Sequence, residues 1–261
     1  MVKKIHCCWF GGTIPDSVKR NLEEWEKLNP DFDICLYHED NIDVEAYEFG
    51  RRAKNAKRWG FLVDIIRPQK LVEQGGFYLD ADIELIRPLS CLESDGDKLI
   101  MGYMYGCALG TAALYSPPNH PYMVDILEKY NNIALDFWPV SNSIFTEYFI
   151  NSVPGFLLNG KEWSNDICHI HEKEFFEQPA LIRSHGVSIH HCCGSWSKKS
   201  NGAFGVSLTI SAFAHLKKWA ARKYRTASAC RRNEFYDVYK AALAGLSVKF
   251  DASRYYEQAP R

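Results

Sequence analysis

The run GGFYLDADIEL, residues 75–85, sets Asp80 and Asp82 two positions apart in an otherwise apolar stretch. Residues 77–83 read as a strand, in which Asp80 and Asp82 would face one side, and a mostly parallel sheet built from such strands has helices over its faces. The residues before that strand supply one such helix. Phe61, Leu62, Ile65, Ile66 and Leu71 keep a helical rhythm over 59–74, with Pro68 expected to kink or interrupt the helix and Gly75-Gly76 to end it. Earlier, residues 2–10 read as a buried strand stopped by Gly11-Gly12. Val18, Leu22, Trp25 and Leu28 then mark a helix ended by Asn29-Pro30, residues 32–37 a second strand, and residues 41–56 a polar helical region. Strands alternating with helices predict an α/β fold, a mostly parallel sheet flanked by helices. Ligands of such sheets bind beyond the carboxyl ends of the strands, where Asp80 and Asp82 fall.

Further along, residues 99–105 and 110–115 read as strands, 121–130 as a helix, and 187–191 as a late strand leading into Cys193-Gly194-Ser195. The aromatic stretch 136–178 is expected to be irregular and to shape an acceptor site with loops. Residues 211–233 hold seven Lys or Arg and no acid. Phe213, Leu216, Ala220, Tyr224 and Ala227 share one face of a helix there, with Lys217, Lys218, Arg222 and Arg225 opposite. This basic amphipathic helix suits packing on the core, or contact with an anionic membrane surface or a polyanionic partner. The chain therefore divides into a catalytic domain, residues 1–206, and a helical tail, residues 207–261.

No nucleic-acid-binding module is recognisable, so nucleic acid is not expected as a partner. The nine cysteines are odd in number and contain no Cys-x-x-Cys pair, so free thiols are expected rather than a disulfide framework or zinc site. No segment reads as a signal peptide or a membrane span, and the expected location is the cytoplasm, with peripheral contact at the inner membrane face through the basic helix.

Two carboxylates side by side repel, and a hard divalent cation between them resolves the conflict. Such an ion can also hold a diphosphate and neutralise it as a leaving group. Asp64 and Arg67, at i and i+3 on one helix face, can take sugar hydroxyls and phosphate oxygens, or can form an ion pair along the helix.

The segment WGFLVDIIRPQKLVEQGGFYLDADIELIRPL resembles the sugar-binding region with the Asp-x-Asp motif of glycosyltransferase family 32, a family that includes capsular-polysaccharide and yeast-type mannosyltransferase relatives and is related to the clostridial glucosylating toxins. The opening KIHCCWFGGTIPDSVKRNLEEWEKLNPDFDICLYHEDN and the late SIHHCCGSW resemble the same family. The resemblance implies a GT-A fold, a nucleotide-sugar donor, Mn2+ or Mg2+, and transfer with retention of configuration. It makes Asp82 the direct metal ligand, and Asp80 a contact to ribose, sugar or metal-bound water. It gives Asp64 and Arg67 to the donor sugar, and Trp9 to the base, uracil by preference, with Phe10 and Gly11 beside it. His191, from a His-x-x-Gly spacing, becomes the third metal ligand, and Ser195 and Trp196 lie near the diphosphate. Thr111 stands where the family often has Asn, and Asn142 and Thr146 are further candidates for the donor.

The function expected is metal-dependent, retaining transfer of a hexose from a UDP-sugar to a hydroxyl of a surface polysaccharide or glycolipid. The alternatives are a sugar nucleotidyltransferase or nucleotide-sugar hydrolase, and a non-catalytic glycan-binding protein. Gly11-Gly12-Thr13 lacks the basic residue expected of a nucleotidyltransferase loop, and a dead site has no use for two mutually repelling carboxylates.

Overall fold

The computed structural model describes residues 1–134, 137–182, 185–192 and 212–251. Its first third is the expected alternation. β1 (Lys4–Cys8) and β2 (Asp33–Tyr37) pair in parallel and are joined by α1 (Asp16–Leu28); β3 (Gly76–Leu79) lies parallel on the other side of β1. Between them run α2 (Glu48–Asn55), shorter than the expected 41–56, and α3 (Trp59–Gln74). α3 passes through Pro68 as one helix, which corrects the expected interruption. Leu62, Ile65, Ile66 and Leu71 bury fully along it, and that packing outweighs the amide that proline removes. The change from α3 to β3 requires glycine. Gly76 has φ 108°, and a Cβ there would sit 2.7 Å from the Lys4 carbonyl oxygen of the neighbouring strand.

β4 (Ile83–Leu85) leaves the main sheet and pairs antiparallel with β10 (Ser188–His190). A 3₁₀ helix (Leu89–Asp95) leads to β5 (Leu99–Tyr105), β6 (Ala108–Leu109) and β7 (Ala113–Ser116), then α4 (Pro121–Asn131). The main sheet runs β2-β1-β3-β7-β5-β9-β8, where β8 is Trp163–Ser164 and β9 Cys168–His171. Five of these seven strands point one way, with β7 and β8 opposed. The mostly parallel, helix-flanked α/β sheet expected from the sequence is the fold.

Side chains alternate across this sheet and feed two cores. Ile5, Cys7, Phe77, Leu79 and Ile100 face Trp25 of α1. Cys8, Tyr78, Leu99, Met101 and Tyr103 face Leu62 and Ile65 of α3, Met123 of α4, and Phe145 and Phe149. Both faces are covered, which is why these strands read as unbroken apolar runs.

The stretch 136–178 is not irregular. It contains α5 (Ser141–Ser152), the β8–β9 hairpin and the short α6 (Lys173–Phe176). α5 escapes detection because Ser141, Ser143, Ile144, Phe145, Thr146, Tyr148 and Phe149 are all buried, which leaves no exposed face to give it a period. α7 (Ala212–Arg231) forms as expected but is turned about its axis. Thr226 and Cys230 are buried and Trp219 and Arg222 half-buried, whereas Tyr224, on the expected inner face, is 80% exposed. The Arg222 guanidinium donates to the His190 carbonyl, so a residue assigned to the outer face faces the core. α8 (Tyr236–Leu243) follows. The proposed boundary at residue 206 lies outside the described residues. The eight described cysteines are free, and among the described residues no helix is long and apolar enough to cross a membrane.

His6 gives the fold a pH-dependent contribution. The residue is fully buried, its Nδ1 2.9 Å from the Tyr37 hydroxyl and its Nε2 2.8 Å from the Gly75 carbonyl oxygen. Burial holds its pKa below the ordinary 6.5, against the pull of the Gly75 carbonyl. The unfolded chain therefore takes up this proton first as pH falls. His6's contribution is complete above about pH 6.5 and is lost below it, by at most ~1.4 kcal/mol per pH unit. Urea unfolding of the wild type and of His6→Asn between pH 7.5 and 5 should show a gap that narrows on acidification; a constant gap contradicts this assignment.

Candidate active site

β3 ends at Leu79, and the two aspartates lie in the turn that follows. The Asp80 amide donates to the Ala112 carbonyl (2.7 Å) and the Ile83 amide to the Asp80 carbonyl (2.9 Å). A turn, rather than the pleat of a continuous strand, thus brings the carboxylates together. Two side chains of α1 hold its backbone: Asn21 Nδ2 donates to the Ala81 carbonyl (2.8 Å) and Trp25 Nε1 to that of Ile83 (3.1 Å).

Across the turn stands His190. Its Nε2 is 3.3 Å from Asp82 Oδ1 and its Nδ1 2.7 Å from Glu177 Oε2. Asp80, Asp82 and His190 offer ligand atoms that all lie within 4.8 Å of one another. His191, the expected third ligand, points elsewhere, with its Nε2 3.0 Å from Glu84 Oε2. The register decides this. His190 is opposite Ile83 in the β4–β10 pair, and consecutive strand residues face opposite sides, so only one of the two histidines can meet Asp82. Glu177, buried just after α6, comes from a segment that gave no sequence signal. Burial disfavours charge on His190, but Glu177 and Asp82 on either side outweigh it and raise its pKa well above 6.5. Without a cation, an imidazolium bridges the two carboxylates.

Asp64 and Arg67 form the second half of the site. Arg67 Nη1 donates to Asp64 Oδ1 (3.1 Å) and Ser141 Oγ (2.7 Å), and Nη2 to Asp80 Oδ1 (3.1 Å), while its guanidinium lies 4.5 Å from the Tyr78 ring centre. The Ser141 amide donates to Asp64 Oδ2 (3.2 Å), and the Ser141 and Thr111 hydroxyls are 2.9 Å apart. Burial raises the pKa of Asp64 and of Asp80 while Arg67 opposes it. The side chains of Arg67 and Asp64 are only 3% and 13% exposed, against 28% for Asp80. Of the three, Asp80 is the one open to a ligand.

Residues 15–104 match a family model described as a glycosyltransferase sugar-binding region containing the DXD motif. That span holds Asp64, Arg67, Asp80 and Asp82. The chain is a glycosyltransferase. Among solved structures, the PaToxG glycosyltransferase aligns with a TM-score of 0.48 and 16% identity, over 59% of this chain and 69% of that one. A glycosyltransferase involved in the glycosylation of the major capsid of PBCV-1 aligns with a TM-score of 0.44 and 12% identity, over 74% of this chain and 94% of that one. No curated protein matches the sequence significantly.

The remaining candidates of the transferase are spread around this centre. Trp9, just past β1, is half-buried, and its Nε1 is buried without a hydrogen-bond partner. Phe10 is a core residue, 8% exposed and stacked on Trp59 at 6.0 Å, which leaves it little surface for a ligand. Gly11 is exposed, and its amide donates to Glu39 Oε1 (2.7 Å). Thr111 is buried and reaches the Arg67 network through Ser141. Asn142 Nδ2 donates to the Leu109 carbonyl (2.7 Å), and the fully buried Thr146 accepts from the Leu109 amide (2.9 Å). These two tie α5 to β6. Ser195 and Trp196 lie outside the described residues.

The space Glu177 occupies exists because residue 110 is glycine. A Cβ there would fall 2.3 Å from Glu177 Oε1. Gly110→Ala is therefore expected to displace the carboxylate that orients His190 and to lower turnover by about tenfold or more, on the scale of lost outer partners of a ligating histidine. Steady-state rates of donor turnover check this, and wild-type rates in a folded Gly110→Ala protein contradict it.

Proposed function

We propose that the transferase moves a hexose from a nucleotide sugar, a UDP-hexose by preference, to a hydroxyl of a surface polysaccharide or glycolipid, with retention of configuration. In this reading a Mn2+ or Mg2+ ion is held by Asp80, Asp82 and His190. The observation that carries it is the convergence of those three side chains at the end of β3, inside the matched sugar-binding region. Two carboxylates and an imidazole are a donor set that suits Mn2+, provided His190 gives up its Nε2 proton. When bound, the ion would supply positive charge to the departing diphosphate.

The chain's own groups act around that position. Glu177 fixes the ring of His190 through Nδ1. Arg67 and Asp64 are positioning residues that hold Asp80, which is the carboxylate offered to the donor sugar or ribose. Trp9 stacks on the base. Trp9→Ala is expected to weaken UDP binding by ~1–3 kcal/mol, the scale of base stacking on aromatic side chains. Calorimetric affinity unchanged by that substitution would remove Trp9 from the site. Contact with the inner membrane face through α7 belongs to the same proposal, supported by the outward Tyr224 and Leu216. Failure of anionic lipid vesicles to retain the protein counts against that contact.

The function as a whole is tested by release of nucleotide from a panel of UDP- and GDP-sugars, with Mn2+, with Mg2+ and with chelator. Release from a UDP-hexose that requires the metal supports the proposal. Release from GDP-sugars alone, or release indifferent to chelator, contradicts it.

A further inference from the structure

One face of α7 borders a pocket beside the transferase site. Trp219, Arg222, Lys223, Thr226, Ala227 and Cys230 follow one another at helical spacing and line it together. Lys173 and Glu174 of α6, Gln178 just after it, and Tyr239 of α8 complete the wall. The pocket has a volume of about 210 Å³, below the ~300–1,000 Å³ of pockets that take drug-sized ligands, and it suits a single sugar ring. Its lining runs directly into the reaction centre. Arg222 Nη2 donates to the His190 carbonyl. Thr226 Oγ1 donates to Gln178 Oε1 (3.4 Å), and Gln178 follows the Glu177 that holds the His190 ring.

Three cations and one acid line this space. Lys173 Nζ lies 2.9 Å from Glu174 Oε1, so the acid is already matched. Among the described residues no carboxylate pairs with Arg222 or Lys223, and the Lys223 ammonium lies 4.7 Å from the centre of the Trp219 ring. Two positive charges in a partly enclosed pocket attract an anion. The planar fork of a guanidinium matches a carboxylate or a phosphate, and a flat indole suits the apolar face of a sugar ring.

We propose that this pocket takes a sugar residue bearing a carboxylate or a phosphate, as part of the acceptor glycan. The assignment to the acceptor rests on the transferase reading above; the binding itself does not. Trp219 is the platform for the ring, and Arg222 and Lys223 neutralise its acidic group. A larger cavity of about 500 Å³ shares Glu174, Trp219 and Lys223 with the first and leads past Leu181 and Ile182, each 56% exposed. Three glutamates and one lysine line it, beside two histidines, so a second acidic sugar is repelled there. The ligand that fits both spaces has one acidic residue next to neutral ones.

The test uses the full chain, without donor or metal, in saturation-transfer NMR titrations with methyl glucuronide, glucose 6-phosphate and methyl glucoside. At least one of the two anionic sugars is expected to bind about tenfold or more tightly than the glucoside, the scale of one hydrogen bond to a charged group, and the one that does so names the acidic group. Lys223→Gln, a change at an exposed side chain, should cut that preference by about fivefold, and the double variant Arg222→Gln, Lys223→Gln should abolish it. Trp219→Ala should weaken the neutral glucoside as well. Equal affinity for all three sugars, a preference untouched by Lys223→Gln, or displacement of the anionic sugar by an equal concentration of inorganic phosphate would overturn the proposal. Where nucleotide is released from a UDP-sugar, the tighter sugar should speed that release more than the glucoside does, and an equal effect of the two would overturn the assignment to the acceptor. Calorimetric binding of UDP with Mn2+ is a separate readout on the same protein: its failure contradicts the donor reading and leaves the sugar pocket standing.

Discussion

Arg67→Ala is expected to destabilise the fold by about 3–5 kcal/mol and to abolish transfer, because it leaves two carboxylates buried together with no cation between them. Arg67 is 3% exposed and gives hydrogen bonds to Asp64, Asp80 and Ser141 at once. Burial already raises the pKa of both aspartates, and Arg67 is the main opposing influence on each. Without it they take up protons, and Asp80 loses its charge and its fixed direction. Lysine is not a substitute, since one ammonium cannot present the planar fork that spans both carboxylates and a hydroxyl. Urea unfolding at pH 7 and pH 5 measures the effect. The deficit of Arg67→Ala should shrink at the lower pH, where protonation relieves the uncompensated charge. A variant as stable as the wild type at both values would mean that the guanidinium does not hold this network together.

Asp82→Asn should have the opposite profile, with a small effect on the fold and a large one on chemistry. Asparagine keeps the shape of the side chain beside His190 but removes the charge with which Asp82 would hold the proposed cation. Turnover of the nucleotide sugar is expected to fall by roughly 10²–10³-fold or more, the scale of losing one aligned electrostatic group at a developing anion. Rates at saturating donor, with Mn2+ varied, check this. Turnover within a few-fold of the wild type would remove Asp82 from the centre.

The parts of the fold legible in the sequence are those whose signal is local. The apolar run before Asp80, the glycine pair at 75–76 and the spacing of Val18, Leu22 and Trp25 each announce their element without reference to the rest of the chain. Pro68 was misleading because the burial that carries α3 through it comes from distant residues. α5 was hidden for a related reason, since a helix buried on nearly every side has no periodic face.

The site divides in the same way. Asp64, Arg67, Asp80 and Asp82 stand within one short segment, and their association follows from a helix, a strand and a turn in succession. Their partners do not. Ser141 reaches Asp64 from 77 residues along the chain and Glu177 joins the centre through His190, and only the packing of α5 and α6 brings them in. The choice between His190 and His191 rests on a strand register fixed by pairing with β4, and two adjacent histidines in a sequence carry no information about it. The rotation of α7 is another case: alanine and threonine carry too little hydrophobic contrast to say which side of a helix faces inward.

The central claim is that Asp80, Asp82 and His190 form the cation-dependent nucleotide site. Its most direct test is calorimetric binding of UDP, with Mn2+ and with chelator, to the wild type, His190→Ala and His191→Ala. Mn2+ is expected to tighten UDP binding in the wild type and in His191→Ala, and His190→Ala is expected to lose this dependence. Metal-dependent binding that survives in His190→Ala and disappears in His191→Ala would contradict the claim.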